Sequence, residues 1–416
     1  MKYDLVVIGG GPSGMMAALR AGELGARVLL VEKNDRLGVK LLMTGNGRCN
    51  LTNSELERRK VIDKFGKNGR FLFSSYFRFD NNAVVEFFEN QGVKTKVERG
   101  GRVFPESDLG ADVLSALIEC LKKSKVEIKT DMSVKEIVKK ENRIEEIVFV
   151  NGETVVADHF IIATGGKSYP GSGSSGDGYD FAKKLGHTIT PLMPALTPII
   201  LEERFIPDLE GLALKNVEVS VFQNNKKIDS RFGEALFTGN GLSGPIILDL
   251  SRTIGQALAQ KIGKIVIKID FKPALNLPQL DLWIQEDFKK GQNKMVKNIL
   301  DGLLPQRIIP IFISQSEINP EKKVNSITKE ERKKLLLLLK EFTLTVGRLV
   351  GFEKAIVTSG GVSLREIDPK TMRSKIVDNL SFAGEVLDLD GPTGGYNLQA
   401  CFCTGRSAGE NVIAHT

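Results

Sequence analysis

Cysteine is scarce in this chain of 416 residues, and four copies (Cys49, Cys120, Cys401 and Cys403) cannot build a disulfide framework for so long a sequence. Free thiols fit a reducing, cytoplasmic setting. No Cys-x-x-Cys or Cys/His spacing of the zinc type occurs, so no metal site is expected. Cys401 and Cys403 stand two apart in an expected helix, where i and i+2 do not share a face, which excludes a redox pair there. Long apolar runs are missing as well. The "LLLLL" of 335–339 lies between "EERKK" and "KEF", far short of the ~20 residues that span a bilayer, and reads as a buried helix face. The opening "MKYDLVVIGG" has no charged, apolar and cleavage regions in order, so this end is expected to be structure rather than an address. Aromatics make up only 7% with one Trp, and no repeat or low-complexity tract occurs; 41% hydrophobic and 26% charged residues describe an ordinary globular chain.

The length predicts two or three domains. Lys and Arg outnumber Asp and Glu by 58 to 51, a formal +7 with a pI near 9.0, which modestly favours an anionic partner. A dinucleotide already satisfies that preference, so the balance does not require nucleic acid.

What is present begins at residue 3. "YDLVVIGGGPSGMMAALRAGELGARVLLVEK" alternates a strand (3–8), a glycine turn, a helix (13–24) and a second strand (28–31) that ends at Glu32. Gly9, Gly11 and Gly14 form G-x-G-x-x-G, with the acid about 20 residues further on. Gly9 makes the tight turn, Gly11 lets backbone approach a pyrophosphate at the helix N-terminus, and Gly14 permits close helix–strand packing. Glu32 is placed to accept hydrogen bonds from ribose hydroxyls.

Helices are expected near 82–90 and 111–123, then a strand and β-meander ending in a strand over 160–163 at "TGG". "GSGSSG" at 171–176 repeats the glycine spacing but follows "SYP" rather than a strand, so it is expected to be a mobile polar loop near the active site. Short strands over 217–222, 235–238 and 265–271 suggest a small barrel-like insert, followed by a helical stretch over 278–343. Thr328 and Glu331 stand in capping-box spacing within it. Strand-plus-glycine patterning returns in "AIVTSGGV", and the last ~65 residues complete the first domain. The expected fold class is α/β: a discontinuous Rossmann-like two-dinucleotide-binding domain (1–190 and 351–416) with an inserted domain at 191–350, β-rich over 191–275 and helical over 276–345.

One stretch fits none of these elements. "TGNGRCN" over 44–50 is an ordinary exposed turn by composition. Together with the N-terminal "GGGPSGMMAA", "ATGGKSYPGSGSSGDGYDFAKKLGHTI", "LSGP" and "GEVLDLDGPTGGYNLQACFCTGRSAGE", however, it resembles the HI0933-like bacterial flavoproteins over nearly the whole chain. That family is described as NAD(P)/FAD-dependent oxidoreductases, including aminoacetone oxidases and reductases of conjugated bile-acid enones, with non-covalent FAD.

The resemblance implies FAD held by Gly9, Gly11, Pro12, Ser13, Gly14, Glu32 and Lys33, with Ala163, Thr164 and Gly165 at the meander's end. Lys40, Thr44, Gly45, Asn46, Gly47, Arg48, Cys49 and Asn50 become cofactor wall, Arg48 offsetting phosphate charge and the asparagines bonding polar edges. Gly384 and Glu385 resemble residues beside the ribityl–phosphate chain, and Gly394, Gly395, Tyr396 and Asn397 the flavin-ring loop. Cys49 is either a proton donor to substrate or a small packing residue; His187 is either catalytic or a structural helix-end residue. Where family members often carry Thr-His before Gly-Leu-Ser-Gly-Pro, this chain has Thr238-Gly239, so an acid or base role of that His is absent. The expected activity is hydride transfer between NAD(P)H, flavin and a small conjugated enone or aminoketone. Reduction of uridine in RNA, or a non-catalytic flavin sensor, is the alternative.

Overall fold

The computed structural model describes residues 2–412. The chain divides into two compact units, Met1–Met193 with Ile356–Thr416, and Pro194–Ala355.

Within the first unit, the near-continuous apolar run of Tyr3–Ile8 suits a strand buried on both faces. Among the described residues it lies in the middle of a five-stranded parallel sheet ordered Leu380–Phe382, Ala157–Ile162, Tyr3–Ile8, Val28–Val31, Glu127–Lys129. The chain first adds strands on one side of Tyr3–Ile8 and later on the other, which makes its carboxyl end a topological switch point, the usual ligand crevice of such sheets. The register aligns Ile8 with Val31 and Ile162, and Ile162 with Phe382. Gly9, Glu32, Ala163 and Ala383, one residue beyond, therefore leave the sheet along a single edge.

Pro at N1 pre-sets the first turn of the helix Pro12–Glu23. The C-terminal helix Tyr396–Glu410 packs directly on it: a Cβ at Gly405 would lie 2.3 Å from the Ser13 carbonyl oxygen, and one at Gly409 2.1 Å from that of Ala17. Both contacts ascend together, so the helices run parallel, with their N-termini toward the same end. The meander is present as Val134–Lys140, Arg143–Phe149 and Thr154–Val155.

In the second unit an antiparallel barrel closes in the order Ile199–Leu201, Gly241–Ser243, Lys226–Thr238, Ala213–Gln223, Ile265–Asp270, Phe342–Leu349. Two corrections apply to the expected division of this segment. Residues 245–260 form a helix inside the β-rich part, its Ile246, Ile247, Leu250 and Ile254 buried in the core. The expected helical stretch ends at Lys340, and Phe342, Leu344 and Val346 alternate inward as the barrel strand that closes it.

Candidate functional site

Gly9 turns the chain at the sheet edge with φ of 109°, and a Cβ there would lie 2.5 Å from the Ala163 carbonyl oxygen. Two strand ends therefore meet at a point where only glycine fits. A Cβ at Gly14 would sit 1.9 Å from the Gly9 carbonyl oxygen, so the helix is pressed onto its own turn. Gly11 differs: it is the N-cap, and a Cβ built there meets no atom within 4 Å. The helix N-terminus with its unpaired N–H groups is open at that residue, as a bound phosphate requires.

Glu32 is oriented by backbone. Gly10 N donates to one carboxylate oxygen (2.7 Å) and Asn34 N to the other (2.9 Å). Each oxygen keeps acceptor capacity for a ribose hydroxyl. Thr164 Oγ1, just past the neighbouring strand, is buried with no hydrogen-bond partner among the described residues and lies against Gly178, where a Cβ would approach it to 2.0 Å. Ser13 lies beneath Gly384, where a Cβ would approach its hydroxyl to 2.3 Å. These residues fit a dinucleotide.

Glu385 knits the other wall. Its carboxylate pairs with Lys40 Nζ (2.9 Å) and accepts from Ser168 Oγ (2.9 Å) and Thr358 N (2.8 Å), while Lys40 also donates to Ser168 Oγ (2.8 Å). Ser168 and Thr358 were not among the expected site residues. Both flank glycine pairs, in "GGKS" and "TSGG", the only local signal that could have marked them.

Residues 44–50 form a tight loop with Gly45, Asn46, Gly47 and Cys49 all at positive φ. The loop is joined to the C-terminal helix: with its amide oxygen toward Gly395, Asn50 accepts from Gly395 N (3.0 Å) and donates to Thr52 O and Val103 O. Asn53 Nδ2 donates to Gly394 O (3.1 Å). Gly395 caps the helix at φ of 95°, and a Cβ there would lie 2.2 Å from the Thr52 carbonyl oxygen. Because Ser13 sits opposite Gly405, the N-terminus at Tyr396 projects beyond that at Pro12 by eight residues of helix, about 12 Å. Two parallel helix N-termini, offset along one direction, suit a ligand extended between them.

Several expected residues are engaged elsewhere. Arg48 does not face phosphate: its guanidinium pairs with Glu98 (2.8 Å) and Asp108 (3.2 Å) and stacks 3.9 Å above the Phe104 ring centroid. Cys49 is fully buried, and burial pushes its thiol up to about 12, an environment that fits the packing role. His187 is likewise buried and held on every side. Its Nδ1 faces Glu366 (3.3 Å), its Nε2 faces Ser374 (3.0 Å), its ring lies edge-on to Phe382, and burial lowers its pKa. Asn397 spends its amide on its own loop, at Gly391 N, Gly391 O and Pro392 O. Tyr396 is buried edge-on to Phe65. Lys33 pairs with Asp177 (2.6 Å) and donates to Ser175. With Asn34 donating to Ser172 O (3.1 Å) and Ser172 and Ser174 buried, the "GSGSSG" loop is tied to the ribose end of the site rather than loose.

Fold and site together define the class, a flavoprotein oxidoreductase on a Rossmann-like sheet. The model of the HI0933-like protein Rossmann domain matches residues 3–411, and the chain belongs to that family. The 3-dehydro-bile acid delta(4,6)-reductase of Clostridium scindens is 32% identical, over 97% of this chain and 97% of its own. A ribosomal RNA dihydrouridine synthase of Escherichia coli strain K12 is 29% identical, over 99% of this chain and 98% of its own. Among solved structures, a 3-ketosteroid delta1-dehydrogenase from Sterolibacterium denitrificans shares the fold over 100% of both chains, with a TM-score of 0.55 and 13% identity.

Proposed function

We propose that the protein is a cytoplasmic FAD-dependent reductase of a carbon–carbon double bond conjugated to a carbonyl. The carrying observation is the register row that delivers Gly9, Glu32, Ala163 and Ala383–Gly384 to one edge, with the open N-cap at Gly11 and the second N-terminus at Gly395 beyond it. When bound, FAD supplies the hydride chemistry. The chain's own part is positional. Backbone at Gly9 to Gly14 would hold the pyrophosphate, Glu32 the adenosine ribose, and Thr164 and the Gly384–Glu385 turn the middle of the cofactor. The dipole of the helix Tyr396–Glu410 would stabilise negative charge at the ring. NAD(P)H is the proposed transient reductant.

The names of the two relatives meet in one piece of chemistry: a dehydro-bile acid reductase and a dihydrouridine synthase both saturate a double bond conjugated to a carbonyl. A small conjugated enone is the first substrate reading; an aminoketone, which has no such bond, would instead give hydride to the oxidised flavin. Uridine in RNA is the second, favoured by charge, because residues 194–355 carry 24 Lys and Arg against 19 Asp and Glu, most of the chain's +7. The test is direct. The protein should be yellow and release FAD rather than FMN on denaturation. The anaerobically reduced enzyme is then mixed separately with an enone and with ribosomal RNA from a strain lacking the gene, and the oxidised enzyme with an aminoketone. Reoxidation by the enone alone supports the first reading, and dihydrouridine formed in the RNA supports the second. Release of FMN, or reoxidation by oxygen only, overturns the reductase.

A further inference from the structure

Residues 58–78 hold a surface that the cofactor site does not use. A helix (Arg58–Asp63), a 3₁₀ turn (Gly66–Leu72) and a second helix (Phe73–Arg78) follow one another closely, and a Cβ at Gly69 would lie 2.0 Å from the Ile62 carbonyl oxygen, so they pack as one piece. Phe73 and Phe77 project from it, 55% and 42% exposed, their rings stacked with centroids 4.3 Å apart. The Arg58 guanidinium lies 4.5 Å from the Phe77 centroid. Residues three apart eclipse in a 3₁₀ turn and residues four apart share a face in an α-helix, so Lys67, Arg70, Phe73 and Phe77 form one continuous face. The span carries seven Lys and Arg, all exposed, against Asp63 alone. Among the described residues, Arg59, Lys64, Lys67 and Arg70 have no carboxylate partner.

This piece lies against the loop that leads into the C-terminal helix. Asn68 Nδ2 donates to Asp388 O (2.8 Å), and Phe65 meets Tyr396 edge-on, centroids 6.5 Å apart. A polymer lying on the face would thus pass beside the candidate flavin loop.

We propose that this face binds single-stranded RNA, with an unpaired base stacking on the outer face of Phe73, the Phe77 ring and Arg58 backing it, and phosphates neutralised by Lys64, Lys67 and Arg70. The exposed ring of Phe73 offers its outer π-face to any base, and duplex bases cannot reach it, which selects an unpaired segment. Separate short helices do not make the long amphipathic helix that lies in a membrane interface. The proposal rests on the RNA reading of the function and locates where that substrate is held.

The test uses the full-length, FAD-loaded enzyme and a fluorescent oligouridylate of about 20 nucleotides, between about 50 and 200 mM salt. Wild type should bind with steep salt dependence. Phe73→Ala/Phe77→Ala should weaken binding by roughly 10-fold or more with the salt slope unchanged. Lys67→Gln/Arg70→Gln should lower the slope by about 1.4, at ~0.7 per phosphate contact on a single strand. FAD content and melting temperature should match wild type in both. Equal affinity and slope in wild type and both variants overturn the proposal. So does binding to vesicles of phosphatidylglycerol and phosphatidylcholine without binding to the oligouridylate, which assigns the face to a membrane. If wild type forms dihydrouridine in ribosomal RNA while the variants bind like wild type, the RNA reading stands and this face falls. If the face binds as expected but ribosomal RNA is not reduced, the face stands and the RNA reading falls.

Discussion

Two alanines three residues apart separate folding from cofactor binding. In Gly14→Ala the new methyl meets the Gly9 carbonyl oxygen at 1.9 Å and Ala163 Cβ at 3.4 Å. The first obstacle is backbone on the sheet edge and cannot swing aside, so helix and turn must part. Overpacking of a well-filled core costs about 1–3 kcal/mol, and a backbone collision this close belongs at the upper end or beyond, about 3 kcal/mol. At ~2–4 °C per kcal/mol for a unit of this size, the apo-protein should melt ~6–12 °C lower. In Gly11→Ala the methyl meets nothing within 4 Å, and φ of −78° is ordinary for alanine. Its apo stability should stay within about 1 kcal/mol of wild type.

The same open space is where the pyrophosphate is proposed to lie, so Gly11→Ala should weaken FAD binding by roughly 10- to 100-fold, about 1.4–2.8 kcal/mol. Thermal unfolding of the apo-protein reads the first quantity, and quenching of flavin fluorescence on titration reads the second. Equal melting temperatures for the two variants would refute the packing argument at Gly14. Unchanged FAD affinity in Gly11→Ala would refute the placement of the cofactor.

Three further outcomes follow from buried groups. Cys49→Ala should change substrate-driven reoxidation less than 2-fold, and the native thiol should resist a disulfide reagent at pH 8, because burial holds it near 12; a rate loss of roughly 100-fold would restore it as a general acid. His159, bonded to Ser381 Oγ (2.9 Å), is pushed by burial and by Arg373 and Arg143 to about 3. The unfolded imidazole takes a proton below about 6.5 that the folded one refuses, so stability should fall as pH drops from about 6.5 toward about 3, by ~1.4 kcal/mol per unit; His159→Gln should flatten that limb in melting curves against pH. Glu385→Gln leaves Lys40 without its anion in a half-buried setting and should cost ~1–2 kcal/mol, while adding Lys40→Met should cost little more; additive losses in a urea double-mutant cycle would count against a coupled pair.

What was legible in the sequence is what backbone decides. The glycine triplet, the terminal acid and the apolar strand runs place the parallel sheet and its ligand edge, because those residue types answer to φ, close approach and burial. The capping box is of the same kind, with Glu331 N donating to Thr328 Oγ1 (3.2 Å) and Thr328 N to Glu331 Oε2 (2.8 Å). The helix Pro245–Gln260 was also signalled, by Pro after Gly244 and apolar spacing at 246, 250 and 254, but sat among strand cues. Phe342–Leu349 alternates cleanly, yet it follows the leucine run of the preceding helix, whose pattern masked its start.

Side-chain direction was not legible, and the corrections cluster there. Arg48 follows a glycine turn that faces the site, but its partners Glu98, Phe104 and Asp108 come from a hairpin some 50 residues away that the local sequence cannot announce. The departure at Gly239 is of the same kind. A Cβ there would lie 3.3 Å from the Glu210 carboxylate, so a carboxylate remote in sequence stands beside the position where the family resemblance leads to an expected histidine. Motifs built on backbone therefore speak to the cofactor class, while the partners of the side chains around them come from segments remote in sequence. Relatives about 30% identical across nearly the full chain carry names as different as a bile-acid reductase and a ribosomal RNA dihydrouridine synthase. Substrate choice has to be sought in exposed side chains such as Phe73 and Phe77 rather than in the glycine motifs.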